Sequence, residues 1–179
     1  MQTIPEEVRK RAARIKMVVF DVDGVLTDGS LLYGDDGLEY KAFNSRDGHG
    51  MKMLMASGVG IAIITGRSSP TVMYRMTGLG ITDVYQGQQD KRPAFEKLLK
   101  KHALRGEQAA YVGDDIVDLP VMLQCGLAVA TGDAHRLVQQ HAHWSTPGAG
   151  GRGAARDVCE MIMTAQGTLQ AQFDKYLGG

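Results

Sequence analysis

The stretch Met17-Val18-Val19-Phe20-Asp21-Val22-Asp23-Gly24-Val25-Leu26-Thr27 decides how this chain is read. A short, unbroken apolar run stops abruptly on two acids and a glycine. Unbroken runs, unlike alternating ones, fit parallel strands covered on both faces. The pattern recurs along the chain: Val59–Ile64 stops at Thr65-Gly66-Arg67, and Ala109–Val112 at Gly113-Asp114-Asp115. Val84–Tyr85 and Leu127–Ala130 are further apolar runs. Helices fill the gaps, one opening near Ser69 with Pro70 in its first turn and one capped by Asp90. Another follows Asp114, and a fourth runs from Gly153 through Met163. Strand–helix alternation of this kind predicts an α/β domain with a parallel sheet flanked by helices.

The rest of the composition narrows the setting. A chain of 179 residues fits one domain spanning 1–179. Twenty Lys and Arg balance twenty Asp and Glu, which excludes the overall basic footprint of a nucleic-acid binder. No apolar run is long enough to span a membrane, and the first residues, with Glu6, Glu7, Arg9, Lys10 and Arg11, lack a signal-peptide core. The expected location is therefore cytoplasmic, with no membrane partner. Residues 1–16 carry a net charge of +3, from five Lys and Arg against two Glu, and read as a solvated N-terminal helix. Cys125 and Cys159, amid apolar neighbours, read as reduced core thiols. Residues 29–43 break the alternation: Ser30–Tyr33 and Leu38–Phe43 flank Gly34-Asp35-Asp36-Gly37, the signature of a β-hairpin that would protrude after the first strand. Residues 166–179 are polar and are expected to form a loosely held tail.

Ligands of parallel α/β sheets bind beyond the carboxyl ends of the strands. Here those ends carry Asp21, Asp23, Thr65, Asp114 and Asp115, with Lys91 where a helix opens after the third strand. Carboxylates gathered on one rim repel one another unless a cation joins them. Oxygen-only ligands with a phosphate partner suit Mg²⁺. Three rival patterns fail on spacing or context. A calcium loop begun at Asp21 would put glycine at position 4 instead of 6. Asp114-Asp115-Ile116-Val117-Asp118 matches the D-D-x-x-D of prenyl-diphosphate enzymes, but those resemble all-helical proteins and this copy follows a strand. Gly148, Gly150 and Gly153 spell a dinucleotide fingerprint with too little chain after them for a βαβ unit. His141 and His143 lack the further ligands that a zinc site needs.

Four ordered segments carry a resemblance. Asp21-Val22-Asp23-Gly24-Val25-Leu26-Thr27, Ile64-Thr65-Gly66-Arg67, Lys91 and Gly113-Asp114-Asp115 resemble the motifs of haloacid-dehalogenase-like phosphatases, a Rossmann-like fold. Phe43-Asn44-Ser45-Arg46-Asp47-Gly48, Tyr85–Lys91 and Gly150–Ala154 narrow the likeness to the 3-deoxy-D-manno-octulosonate (KDO) 8-phosphate phosphatase family. The resemblance implies a Mg²⁺-dependent phosphatase of lipopolysaccharide precursor synthesis acting through an aspartyl-phosphate. It casts Asp21 as nucleophile and Asp23 as general acid–base. Thr65 and Lys91 would be holders of the phosphoryl oxygens, and Asp21, Asp114 and the Asp23 carbonyl the metal ligands. Asp115 is expected to orient Lys91 or a metal-bound water. Asn44, Ser45, Arg46, Asp47 and Gly48 would line the sugar-acid pocket, together with Asp23 and Lys91, while Arg67 and Arg75 would meet anionic groups. Arg152 is a further candidate to reach a neighbouring site.

Ser45 and His49 depart from the family pattern, which keeps a nine-carbon sialic-acid-type 9-phosphate open as the substrate. A non-catalytic assembly module of the same fold is the alternative from another class. Only 41 residues separate Asp23 from Thr65 and 25 separate Thr65 from Lys91, so neither gap holds a cap domain. An uncapped rim leaves the hairpin as its sole cover. A lone two-stranded hairpin is marginal in water. The expectation is a homo-oligomer, by resemblance a tetramer, in which a neighbouring subunit completes each site.

Overall fold

The structure, a computed structural model, describes residues 4–178. Its central sheet contains β1 (Met17–Phe20), β4 (Gly60–Ile64), β5 (Asp83–Tyr85), β6 (Ala109–Gly113), β7 (Leu127–Ala130) and β8 (Trp144–Ser145). The order is β5-β4-β1-β6-β7-β8, with every pairing parallel. The apolar runs thus lie within a residue or two of the strands expected from them. Only β8 escaped the reading, because two residues carry no periodicity.

Burial on both faces explains the unbroken hydrophobicity. Val18, Phe20, Ile61, Ile63, Val112 and Val129 point to one side. There they meet α2 (Ser45–Ala56), α3 (Pro70–Leu79) and α7 (Ala154–Ala165) through residues such as Leu54, Met76 and Ile162. Met17, Val19, Ala62, Ile64, Tyr111 and Ala128 point to the other. They meet α4 (Arg92–Lys101), α5 (Leu119–Met122) and α6 (Arg136–His141) through Phe95, Met122 and Val138. Strand side chains alternate between faces, so each residue of a run serves one of two cores. β1 lies between β4 and β6, and the chain leaves it in opposite directions. Such a reversal opens a crevice at the strand ends.

The hairpin forms as expected but with strands of two residues each, β2 (Leu32–Tyr33) and β3 (Glu39–Tyr40), registered Leu32 to Tyr40 and Tyr33 to Glu39. Leu31, Leu32, Tyr33, Leu38 and Tyr40 are each about half exposed. The N-terminal helix is α1 (Glu6–Ala12), and residues 1–3 of the expected 1–16 segment lie outside the described residues.

The chain's end corrects its expectation. Instead of a loose tail, α8 (Leu169–Leu177) packs on the body: Leu169 and Gln172 are buried, and Phe173 lies against the core. Gln166 Nε2 donates to the carbonyls of Ala12 and Ile15, at 3.1 and 2.8 Å, tying this end to the N-terminal segment. The segment's overall polarity hid the helical spacing of Leu169 and Phe173.

Phe20 is fully buried on the β1 face that supports the site. Phe20→Ala is expected to lower unfolding stability by about 3–5 kcal/mol, read by urea denaturation.

Candidate active site

Asp21 follows β1 directly, and its N–H continues the sheet ladder by donating to the Val112 carbonyl at 3.1 Å. The strand therefore delivers its carboxylate at the crevice, where it is 6% exposed. Oδ1 accepts from the Val22 N–H at 2.6 Å, and Oδ2 lies 2.6 Å from Lys91 Nζ. Lys91, 2% exposed, also donates to Asp118 Oδ1 at 2.7 Å.

Asp118 is fully buried and fully used. Its Oδ1 accepts a second hydrogen bond from the Tyr111 hydroxyl at 2.8 Å. Its Oδ2 accepts from the N–H groups of Asp114 and Asp115, at 3.0 and 3.2 Å. One side chain thereby shapes the loop after β6 and fixes the lysine. Asp115, expected to orient Lys91 or a metal-bound water, instead turns its Oδ1 back to the Ile116 N–H at 2.7 Å and caps the 3₁₀ turn Ile116–Asp118. An Asp directly before a helical turn has that backbone donor within reach, whereas the acid three residues later faces inward. The spacing of Asp118 in the sequence gave no sign that it would hold Lys91.

Oxygens of Asp21, Asp114 and Asp118 all lie within 4.8 Å of one another. Buried Oδ1 of Asp114 has no hydrogen-bond partner. Burial lifts the Asp21 carboxyl to about 6 against the pull of Lys91. Burial, followed by the charges of Asp118, Asp21 and Asp115, pushes Asp114 up to about 8. Burial alone would lower the Lys91 pKa, but Asp21 and Asp118 outweigh it and raise it. A lone buried carboxyl oxygen on Asp114 and two crowded carboxyls with raised pKa are what a hard cation would relieve, so this donor set fits Mg²⁺. Asp114 Oδ1 is the oxygen of this group left without a partner, whereas Asp21 and Asp118 each have both oxygens engaged.

The turn after Asp21 is tight: the Val22 carbonyl accepts from the N–H groups of Val25, Leu26 and Thr27. Gly24 holds φ at +84° there, and a Cβ would fall 2.1 Å from Asp114 Oδ2. Behind it stands Gly150, where a Cβ would fall 1.9 Å from the Gly24 carbonyl oxygen. Thr65 directly follows β4, is buried, and donates its N–H to the Tyr85 carbonyl at 3.0 Å. Asp23 faces the hairpin: Oδ1 accepts from Lys41 Nζ, and Oδ2 lies 3.8 Å from Arg67 Nε.

The segment expected to line a sugar pocket is otherwise occupied within one chain. Asn44 caps α2 by accepting from the Arg46 N–H at 2.9 Å, and its Nδ2 donates to the Gly151 carbonyl at 3.2 Å. Asp47 is buried and accepts from the N–H groups of Gly153 and Arg156, at 3.2 and 2.9 Å, capping α7. Gly48 is buried beside the Arg75 guanidinium, and Ser45 and Arg46 are exposed. The crevice shared by Asn44, Asp47, Gly48 and Arg75 is about 10 Å³, room for a single water at most. Arg67 is held by the hairpin, donating to Tyr33 Oη at 2.6 Å and Glu39 Oε1 at 2.7 Å. Arg152 pairs with Asp28 of its own chain at 3.2 Å. Lys41 and Glu39 had no sequence signal beyond membership of the hairpin.

Residues 72–156 match a model of haloacid dehalogenase-like hydrolases. The chain is 48% identical to a KDO 8-phosphate phosphatase of Yersinia pestis over 93% of its own length and 89% of the relative's. It superposes on a probable YrbI-family phosphatase from Pseudomonas syringae with a TM-score of 0.96 and 49% identity, covering 98% of this chain and 99% of that one. A KDO 8-phosphate phosphatase from Moraxella catarrhalis, solved with a magnesium ion, a phosphate ion and KDO, superposes at 0.94 with 38% identity, covering 97% and 99%. The parallel sheet with acids at its carboxyl ends is thus that of a haloacid dehalogenase-like hydrolase. The chain belongs, within that class, to the KDO 8-phosphate phosphatase family.

Both raised carboxyls leave a pH signature. Each stands above its ordinary 3.8 in the fold, so its protonated form favours the native state. That contribution is complete below the unfolded value and is lost as pH rises through about 6 for Asp21 and about 8 for Asp114. In cation-free buffer the melting temperature should fall across this window. Saturating Mg²⁺ should flatten the fall, as scanning calorimetry would record.

Proposed function

We propose that this chain hydrolyses 3-deoxy-D-manno-octulosonate 8-phosphate to the free sugar acid and phosphate, a step of lipopolysaccharide precursor synthesis. The observation that carries the reading is the cluster of buried Asp21, Lys91 and Asp118 with half-buried Asp114, gathered at the carboxyl ends of the parallel strands. Its support is the family membership and the relatives' names.

Phosphate-monoester hydrolysis is among the slowest uncatalysed reactions, and the site must supply more than about 20 kcal/mol. A carboxylate meeting a phosphate dianion faces about 8 kcal/mol of repulsion at ~4 Å and an effective dielectric near 20. Mg²⁺, held by Asp21, Asp114 and, by family resemblance, the Asp23 carbonyl, would supply charge neutralisation there. The Asp21 carboxylate attacks phosphorus, forming an Oδ–P bond as the P–O bond to the sugar breaks. Asp23 passes its proton to the leaving sugar oxygen, then takes one from the water that hydrolyses the aspartyl-phosphate. Lys91 and Thr65 hold the transferring oxygens, with Asp118 keeping the lysine in place.

The open rim makes the oligomer part of the reading. Five half-exposed apolar side chains on the hairpin suit burial against copies of the same chain in a homotetramer. Asn44–Gly48, Arg67 and Arg75 would then meet the sugar acid across a subunit boundary. Among the described residues no helix is long and apolar enough to cross a membrane, which accords with the cytoplasmic location proposed here.

Phosphate release from the eight-carbon 8-phosphate should exceed that from a nine-carbon 9-phosphate and should vanish in EDTA. Asp21→Asn should abolish turnover while Mg²⁺ binding, read by calorimetry, largely survives; near-normal turnover would rule out the covalent route. A fully active monomer in sedimentation would reject the shared site.

A further inference from the structure

The hairpin reaches the site through Lys41, which immediately follows β3. Its side chain is 1% exposed, a rare condition for an ammonium group. Nζ donates to Asp23 Oδ1 and lies 3.4 Å from Glu39 Oε1. Glu39 Oε1 in turn accepts from Arg67 Nη2 at 2.7 Å, and that nitrogen also donates to Tyr33 Oη at 2.6 Å. Two carboxylates and two cations therefore alternate, anchored on both hairpin strands by Tyr33 and Glu39. The arrangement is balanced in charge, so the buried ammonium is held without an uncompensated partner.

The contact with Asp23 is one-sided. Oδ1 is taken by Lys41, whereas Oδ2 accepts no hydrogen bond among the described residues and has Arg67 Nε at 3.8 Å, beyond hydrogen-bond reach. Oδ2 is thus the oxygen left to carry a transferable proton. We propose that Lys41 is a positioning residue for proton transfer: it pins Asp23 in one rotamer, with Oδ2 facing the leaving group. As the Asp23 O–H bond breaks and the proton passes to the sugar oxygen, negative charge appears on a carboxylate already beside an ammonium. Lys41 keeps its own protons throughout. In the second half-reaction the same fixed carboxylate accepts a proton from water. This inference rests on the acid–base reading of Asp23 given above.

Leaving-group dependence tests it. A sugar alcohol leaves poorly without a proton, whereas p-nitrophenolate leaves unaided, so misplacing the acid harms only the first. For Lys41→Met, kcat at saturating substrate should fall roughly ten- to hundred-fold on the sugar phosphate but by no more than about three-fold on p-nitrophenyl phosphate. Asp23→Asn should show the same unevenness more strongly. Lys41→Gln, which keeps an N–H donor, should recover part of the loss, and it carries the comparison alone if the Met variant does not fold in a melting experiment. An even loss across both substrates, or no loss, overturns the role of Lys41. Even losses for Asp23→Asn would instead overturn the acid–base reading beneath it.

Discussion

Lys91 bridges two carboxylates, Asp21 and Asp118, in a place that water scarcely reaches, and most of the site's geometry follows from that contact. Like charges this close would separate or protonate without a cation between them. Removing one member of such a buried set costs about 3–5 kcal/mol, because the others are left uncompensated. The lysine thus binds the end of β1 to the loop after β6. Asp118 extends the link through the Tyr111 hydroxyl and two backbone N–H groups. A site that must receive both a cation and a phosphate is in this way organised before either arrives.

Two constraints place that cluster where a substrate can find it. Reversal of the chain about β1 opens the crevice, and the short gaps between motifs leave nothing to close over it. The hairpin reaches the rim through Lys41, and its apolar side chains stay about half exposed. Three of its polar residues, by contrast, turn inward: Tyr33, Glu39 and Lys41 meet Arg67 and Asp23. One face of a small ribbon therefore addresses chemistry while the other addresses neighbours.

Much of this was legible in the letters. Unbroken apolar runs had to be buried strands, and acids or threonine stopping those runs had to share a rim, because parallel strands all end on the same side. Asp21, Thr65, Lys91 and Asp114 followed from that logic. Asp118 did not, since its role depends on the chain doubling back after β6, which no spacing announces. Asp47, expected at the sugar-acid pocket, accepts from two backbone N–H groups at the start of α7 in its own chain, a long-range contact that no local spacing reveals. The final helix was concealed by polarity on its outer side. Lys41 was unreadable because only the packed hairpin removes it from water.

The contact of Gly150 with the Gly24 carbonyl, and of Gly24 with the Asp114 carboxylate, brings three distant segments into a single stack. Divergence at any layer is consequently tied to the other two. A lineage that acquired bulk at position 150 would have to shift the nucleophile's own turn to accommodate it. Drift in this glycine-rich stretch is therefore restrained by the reaction centre, although nothing in the stretch touches the reacting atoms.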